Sequence, residues 1–264
     1  MLNVLKNETI KFINEKKLYI MLGVIFVLFI LGVIAYKDMI NNVMTGDARI
    51  ETYSQEFITI LQNFNGVTFS KMFLLDFIYK PYFSIYLIFI SIIAVNVFSN
   101  DYKSGNLKFA LLTNTTVTQL YLGKVLFMML VSTIIVSINF ILSLILGQIA
   151  FGGSIPVAEL LEVLVLYFIS VIPAVAFSLI ISLISLTKLS PNVIIGASIG
   201  VIILFGIIDT LTKFKYISPI GILSFFEQGI PSFNISMIIS LGMAVIYILL
   251  LSIGLVKVIN KVDY

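Results

Sequence analysis

The sequence predicts an all-α polytopic membrane protein, and three observations carry that reading. The chain of 264 residues is 60% hydrophobic and 11% charged, with a mean hydropathy of +1.14, more apolar than a soluble domain can hide in its core. Its apolar residues gather into six runs near the ~20 residues that cross a bilayer core. The charged residues fall between those runs. Residues 1–264 therefore read as a single transmembrane domain.

The expected spans are Leu18–Tyr36, Tyr82–Phe98, Val125–Ile149, Leu160–Leu186, Pro191–Ile208 and Phe233–Val256. The third and fourth are long enough to tilt or protrude, and Pro173 is expected to kink the fourth. The fifth opens on "LSPN", where Ser190 suits the N-cap and Pro191 the first turn, whose amide would lack a partner anyway. No small-residue cleavage site follows the first run, so it reads as an uncleaved span.

Orientation follows from the lysines. With both termini cytoplasmic, the inner segments hold ten basic residues against four acids, net +6, and the outer segments six against nine, net −3. The positive-inside rule favours this arrangement.

The segments between spans differ in character. Residues 1–17 place Leu2, Leu5, Phe12 and Ile13 on one side of a helical wheel and Lys6, Glu8, Lys11, Asn14 and Glu15 mostly on the other, the pattern of an interfacial helix on the inner leaflet. The outer segment 37–81 repeats apolar residues at Ile50, Tyr53, Phe57 and Leu61, which predicts one helix resting on the outer surface. The outer segment 209–232 is apolar but broken by Pro219, Gly221, Gly229 and Pro231. That suits a re-entrant element buried against protein, with a partly folded loop as the alternative.

Several function classes fall away. Cysteine and histidine are absent, so there is no disulfide framework, and the residue shared by nucleophilic triads and HExxH zinc sites is missing. The expected spans carry no ionisable group away from their ends, which argues against a self-sufficient proton-coupled pump. Asn96, Asn139 and Gln148 are the strongest polar groups near the spans; they either line a cargo path or bond between helices. "GASIG" puts Gly196 and Gly200 at GxxxG spacing, suited to an intrachain contact or to a dimer seam. The only Gly-Lys pair, Gly123-Lys124, fails as a P-loop because Thr118 stands where glycine is needed and Val125 where the magnesium-binding hydroxyl is needed. The chain is expected not to be an enzyme, and energy would have to come from a partner.

A docking surface for such a partner is found at 100–124, "NDYKSGNLKFALLTNTTVTQLYLGK". It offers an acidic start at Asp101, a flexible Ser104-Gly105, an amphipathic "NLKFALL", a polar turn over Thr113–Thr116 and a return to Lys124. A helix laid flat there would turn Leu107, Ala110 and Leu111 to the spans and Lys103 and Lys108 to the cytoplasm. On these residues the chain resembles the permease subunits of the ABC type-2 exporter family, in which a coupling helix joins the second and third spans. Asp101 stands where that family usually has Glu, and Gly105, Leu111, Leu112 and Lys124 match. Asn106 replaces Thr, and Thr113–Thr118 replace a turn containing Pro and Arg, the mark of a divergent branch. The order of an amphipathic helix, six spans and a broken element before the last span also resembles the family.

The resemblance implies a permease that dimerises with itself or with a sister permease and docks one ABC ATPase subunit per half. Asp101, Lys103, Gly105, Lys108, Leu111, Leu112 and Lys124 would be the coupling residues, and Mg-ATP would be bound by the ATPase, with no cofactor in this chain. The implied setting is a bacterial cytoplasmic membrane, among membrane lipids and without nucleic acid. Small Gram-positive members include exporters conferring immunity to lantibiotics or bacitracin-like antibiotics. The richness in Ile, Asn, Lys, Phe and Tyr fits AT-rich codons, which points toward an amphipathic or antimicrobial peptide as cargo. Rival readings are a permease for ions or lipid-linked saccharides, a membrane enzyme acting on lipids, and a scaffold or sensor that needs no ATPase.

Overall fold

The computed structural model describes residues 1–45, 55–80, 83–100, 116–187, 189–226 and 235–261. Among them every regular element is helical: α1 Leu2–Asn14, α2 Lys16–Thr45, α3 Gln55–Gln62, α4 Gly66–Phe77, α5 Ile85–Val95, α6 Val117–Phe151, α7 Val157–Ile169, α8 Val171–Ser185, α9 Pro191–Leu211 and α10 Ile235–Lys261. Five helices are long and apolar enough to cross a bilayer: α2, α6, α7 with α8, α9, and α10. The protein is a multi-pass membrane protein. The second expected span is the shorter apolar helix Ile85–Ser99, about 22 Å long at 1.5 Å per residue.

Local chemistry sets the helix limits. Ser84 caps α5, accepting from the Leu87 amide at 3.3 Å while its hydroxyl donates to the Ile78 carbonyl at 2.8 Å. Pro191 opens α9 after Ser190 at the N-cap, as the sequence suggests, but the Ser190 side chain makes no capping hydrogen bond. The fourth expected span is interrupted at Ser170, between α7 and α8. Pro173 has no amide to give the Ile169 carbonyl, so the ladder fails at that point and resumes with the Ala174 amide on the Ser170 carbonyl at 3.3 Å. Gly152, at φ 66°, ends α6 in the left-handed conformation that favours glycine.

The chain forms two compact units. The first comprises Met1–Glu15, Phe77–Ile134 and Ile169–Tyr264. At its centre α5 packs against α8 and α9, and α8 packs in turn against α10. Burial of Tyr86, Leu87, Ile90 and Ala94 shows why α5 reads as nearly continuous hydrophobicity: protein, more than lipid, surrounds it.

The second unit comprises Lys16–Asp76 and Ile135–Phe168. Here segment 37–81 departs from expectation. Helix α2 runs on to Thr45, and two further helices, α3 and α4, replace the single surface helix; Ile50 and Tyr53 lie outside the described residues. Far from resting on a surface, α4 buries Val67, Phe69, Ser70, Phe73 and Leu74. Phe73 stacks on Phe29 at 3.9 Å, Tyr36 donates to the Asp76 carboxylate at 2.8 Å, and Lys71 meets Glu162 at 3.2 Å. Glycine permits the approach of α4 to α6, because a Cβ on Gly147 would lie 2.8 Å from the Gly66 carbonyl oxygen.

Candidate functional site

Both described flanks of the 101–115 segment belong to the first unit, and they are built to be held. On the incoming side α5 widens into a π-helical turn over Asn96–Asn100, a form that frees carbonyls from the regular ladder. On the outgoing side α6 begins with a capping box. Thr116 Oγ1 accepts from the Gln119 amide at 3.2 Å, and the Gln119 side-chain oxygen accepts from the Thr116 amide at 3.4 Å. Residues 117–124, read from the sequence as part of a connecting loop, are therefore the first two turns of α6. The signal for this was present as Thr-x-x-Gln.

Lys124 joins the flanks. It is 3% exposed, its ammonium donates to the Val97 carbonyl within the π-turn, and it lies 5.6 Å from the centre of the Phe98 ring. A cation at the carbonyl end of a helix meets the negative end of its dipole, which favours a charge that burial would otherwise penalise. Phe98, Leu120, Tyr121, Lys124, Ser182 and Leu186 line a cavity of about 20 Å³, space for about one water. Tyr121 reaches across to α8, with its hydroxyl 3.2 Å from that of Ser182.

Helix α1 is fastened to the same flanks. The Asn96 amide donates to the Glu15 carboxylate at 3.4 Å, and Phe12 meets Phe127 edge-on at 5.8 Å. A Cβ on Gly123 would come within 2.8 Å of Val4, so a side chain there would push α1 away. The amphipathic reading of residues 1–17 needs one correction. Glu8, assigned to the polar outer side, is 6% exposed and turned inward, with Lys11 3.3 Å from its carboxylate, while Leu2, Ile10 and Ile13 face outward.

The remaining sequence candidates separate. Asp101, Lys103, Gly105, Lys108, Leu111 and Leu112 lie outside the described residues. In the second unit, the Asn139 amide donates to the Ile135 carbonyl of its own helix at 2.8 Å, and Gln148 donates to the Gly153 carbonyl at 2.9 Å, fixing the end of α6. Gly196 and Gly200 of α9 face open space. Chemically, the flanks form a mechanical junction: each polar group named there spends itself on another part of the chain. Among the described residues no three His, Cys, Asp or Glu side chains could hold a metal ion.

Comparison with known protein families finds no family model that matches this chain, and comparison with curated proteins finds no match.

Proposed function

We propose that the chain is the membrane-spanning permease subunit of an ATP-binding cassette exporter, driven by a separate ATPase that docks on residues 100–124. The observation that carries this reading is the Lys124 tie. A segment with charged residues at Asp101, Lys103 and Lys108 is joined at one end to a π-turn and at the other to a capped helix, and a buried ammonium links the two. Force applied to that segment by a soluble subunit would reach α5 and α6 together, and through Asn96 and Glu15 it would reach α1.

In this reading α5 is the sixth membrane crossing, with its apolar length completed by the π-turn. The broken stretch 209–232 is a re-entrant element: the 3₁₀ turn Gly221–Phe226 buries Ile222 and Leu223, with Ile220 buried just before it, whereas the turn Lys213–Tyr216 buries no residue; Gly229 and Pro231 lie outside the described residues. Both termini are cytoplasmic, the membrane is a bacterial plasma membrane, and the functional unit is a homodimer or a heterodimer with a sister permease. The open faces of Gly196 and Gly200 favour the dimer-seam reading of GxxxG over an intrachain contact. The cargo is an amphipathic or antimicrobial peptide.

The test is mild-detergent purification of the tagged chain from its native membrane, with mass spectrometry of what remains bound. A P-loop ATPase, with ATP turnover that responds to added cationic peptides, is the expected result. Its absence under conditions that preserve known transporter complexes would favour a scaffold or sensor instead.

A further inference from the structure

Seven buried side-chain oxygen atoms among the described residues find no hydrogen-bond partner, and three of them belong to two consecutive residues: both carboxylate oxygens of Asp209 and the hydroxyl of Thr210. The other four are scattered over Tyr86, Ser99, Ser132 and Asn139. Asp209 is 1% exposed and lies in the last turn of α9, where free carbonyls already make the helix end negative. A carboxylate is therefore misplaced there on three counts. It is buried, no donor meets it in full hydrogen-bonding geometry, and the helix end repels it. Groups this costly inside a membrane protein mark sites of function.

We propose that Asp209 forms a binding site for a primary ammonium group at the C-terminal end of α9. An ammonium offers N–H donors to the carboxylate oxygens, and its charge suits both the carboxylate and the helix end. Among the described residues Asp209 belongs to no group of three His, Cys, Asp or Glu side chains that could hold a metal ion. Aromatic pairs occur around this end of α9: Phe205 of α9 stacks on Phe214 at 6.3 Å, and Tyr216 meets Phe225 at 5.5 Å.

The chain carries its own competitor. Lys215 and Ser218 are the neighbours that act on Asp209, yet the Lys215 ammonium lies over the Phe225 ring, 4.8 Å from its centre, and makes no ion pair with the carboxylate. The Ser218 oxygen accepts from the Ile220 amide at 3.4 Å, which leaves its O–H as the neighbouring donor that acts on Asp209. Asp209 is thus covered but has no ion-pair partner among the described residues. The cover consists of the two 3₁₀ turns, closed by local hydrogen bonds such as Ile217 amide to Phe214 carbonyl at 2.9 Å, and pinned to α10 by the Ser240 hydroxyl on the Lys215 carbonyl at 3.1 Å. Such short turns can open without unravelling a helix. The site goes beyond the transport reading, which assigns this end of α9 no ligand.

The test uses the purified full chain in detergent, with methylammonium as probe and with sodium and tetramethylammonium at equal ionic strength as controls. Methylammonium should raise the melting temperature saturably, and the other two, which offer no N–H donor, should not. Asp209→Asn should abolish the shift, and Lys215→Gln should move it to lower methylammonium concentration by removing the competitor. Equal responses to methylammonium and tetramethylammonium, or a shift that persists in Asp209→Asn, would overturn the proposal. So would a Lys215→Gln variant that melts lower and no longer responds, because Lys215 would then be the permanent partner. If Asp209→Asn fails to fold, the cation comparison on the unaltered chain and the Lys215→Gln response decide the matter.

Discussion

Lys124 and Asp209 are both buried charges within the first unit, and they are treated in opposite ways. Lys124 has the Val97 carbonyl, the Phe98 ring and the negative end of a helix. Asp209 also sits at a helix end, but one of its own sign, and neither of its oxygens is in full hydrogen-bonding geometry with a donor. The difference teaches that burial alone does not assign a role. A satisfied buried charge ties elements together, whereas an unsatisfied one is held ready for something that arrives from outside.

Melting experiments on single variants would sharpen or break this contrast. The largest effect is expected at Gly221, where an added Cβ would collide with the Lys215 carbonyl oxygen; Gly221→Ala should cost about 3 kcal/mol through overpacking of the cover above Asp209. Melting like the parent would mean that the turns are not packed as described. Lys124→Met keeps the stem, removes the donors and orphans the Val97 carbonyl, so about 2 kcal/mol should be lost. An unchanged melting temperature would show that the tie holds nothing. Thr116→Ala removes half of the capping box and should cost about 1 kcal/mol, read as fraying of the α6 start by hydrogen exchange. The smallest effect should carry the opposite sign: Asp209→Asn relieves an unpaired charge and should gain up to about 1 kcal/mol in the absence of ligand. A loss there as large as that of Lys124→Met would erase the distinction between the two sites.

How much of this was legible in the sequence depended on whether a signal was local. Runs of apolar residues gave α2, α6, α9 and α10 directly, and Pro173 gave the interruption at Ser170, because hydropathy and a missing amide act within a few residues. Helix α4 was hidden. Lys71 and Asp76 depress its hydropathy, and they are affordable only because Glu162 and Tyr36 meet them across the fold, a pairing that no window along the chain can see. The early start of α6 was legible in Thr116 and Gln119 but was masked by the threonine-rich stretch before it, which reads as a turn. Glu8 misled for a related reason: a helical wheel sorts residues by polarity, and here a carboxylate faces inward beside Lys11. Lys124 stood out only through the resemblance, as a coupling residue and not as a buried tie, and Asp209 did not stand out, since each lies beside a span end where a charge is ordinary. Only the geometry distinguishes the anchored one from the unpartnered one.

The most direct measurement of the proposed coupling compares ATP turnover with peptide export in proteoliposomes holding the chain and the proposed ATPase partner, for the parent, for Lys124→Met, and for a variant with both Gly105→Ala and Lys108→Ala. Turnover that continues while export falls in both variants is the predicted result, because the ATPase would still bind and cycle without moving α5 and α6. Export that stays in step with turnover in both variants would contradict the assignment of residues 100–124 and their buried tie as the coupling element.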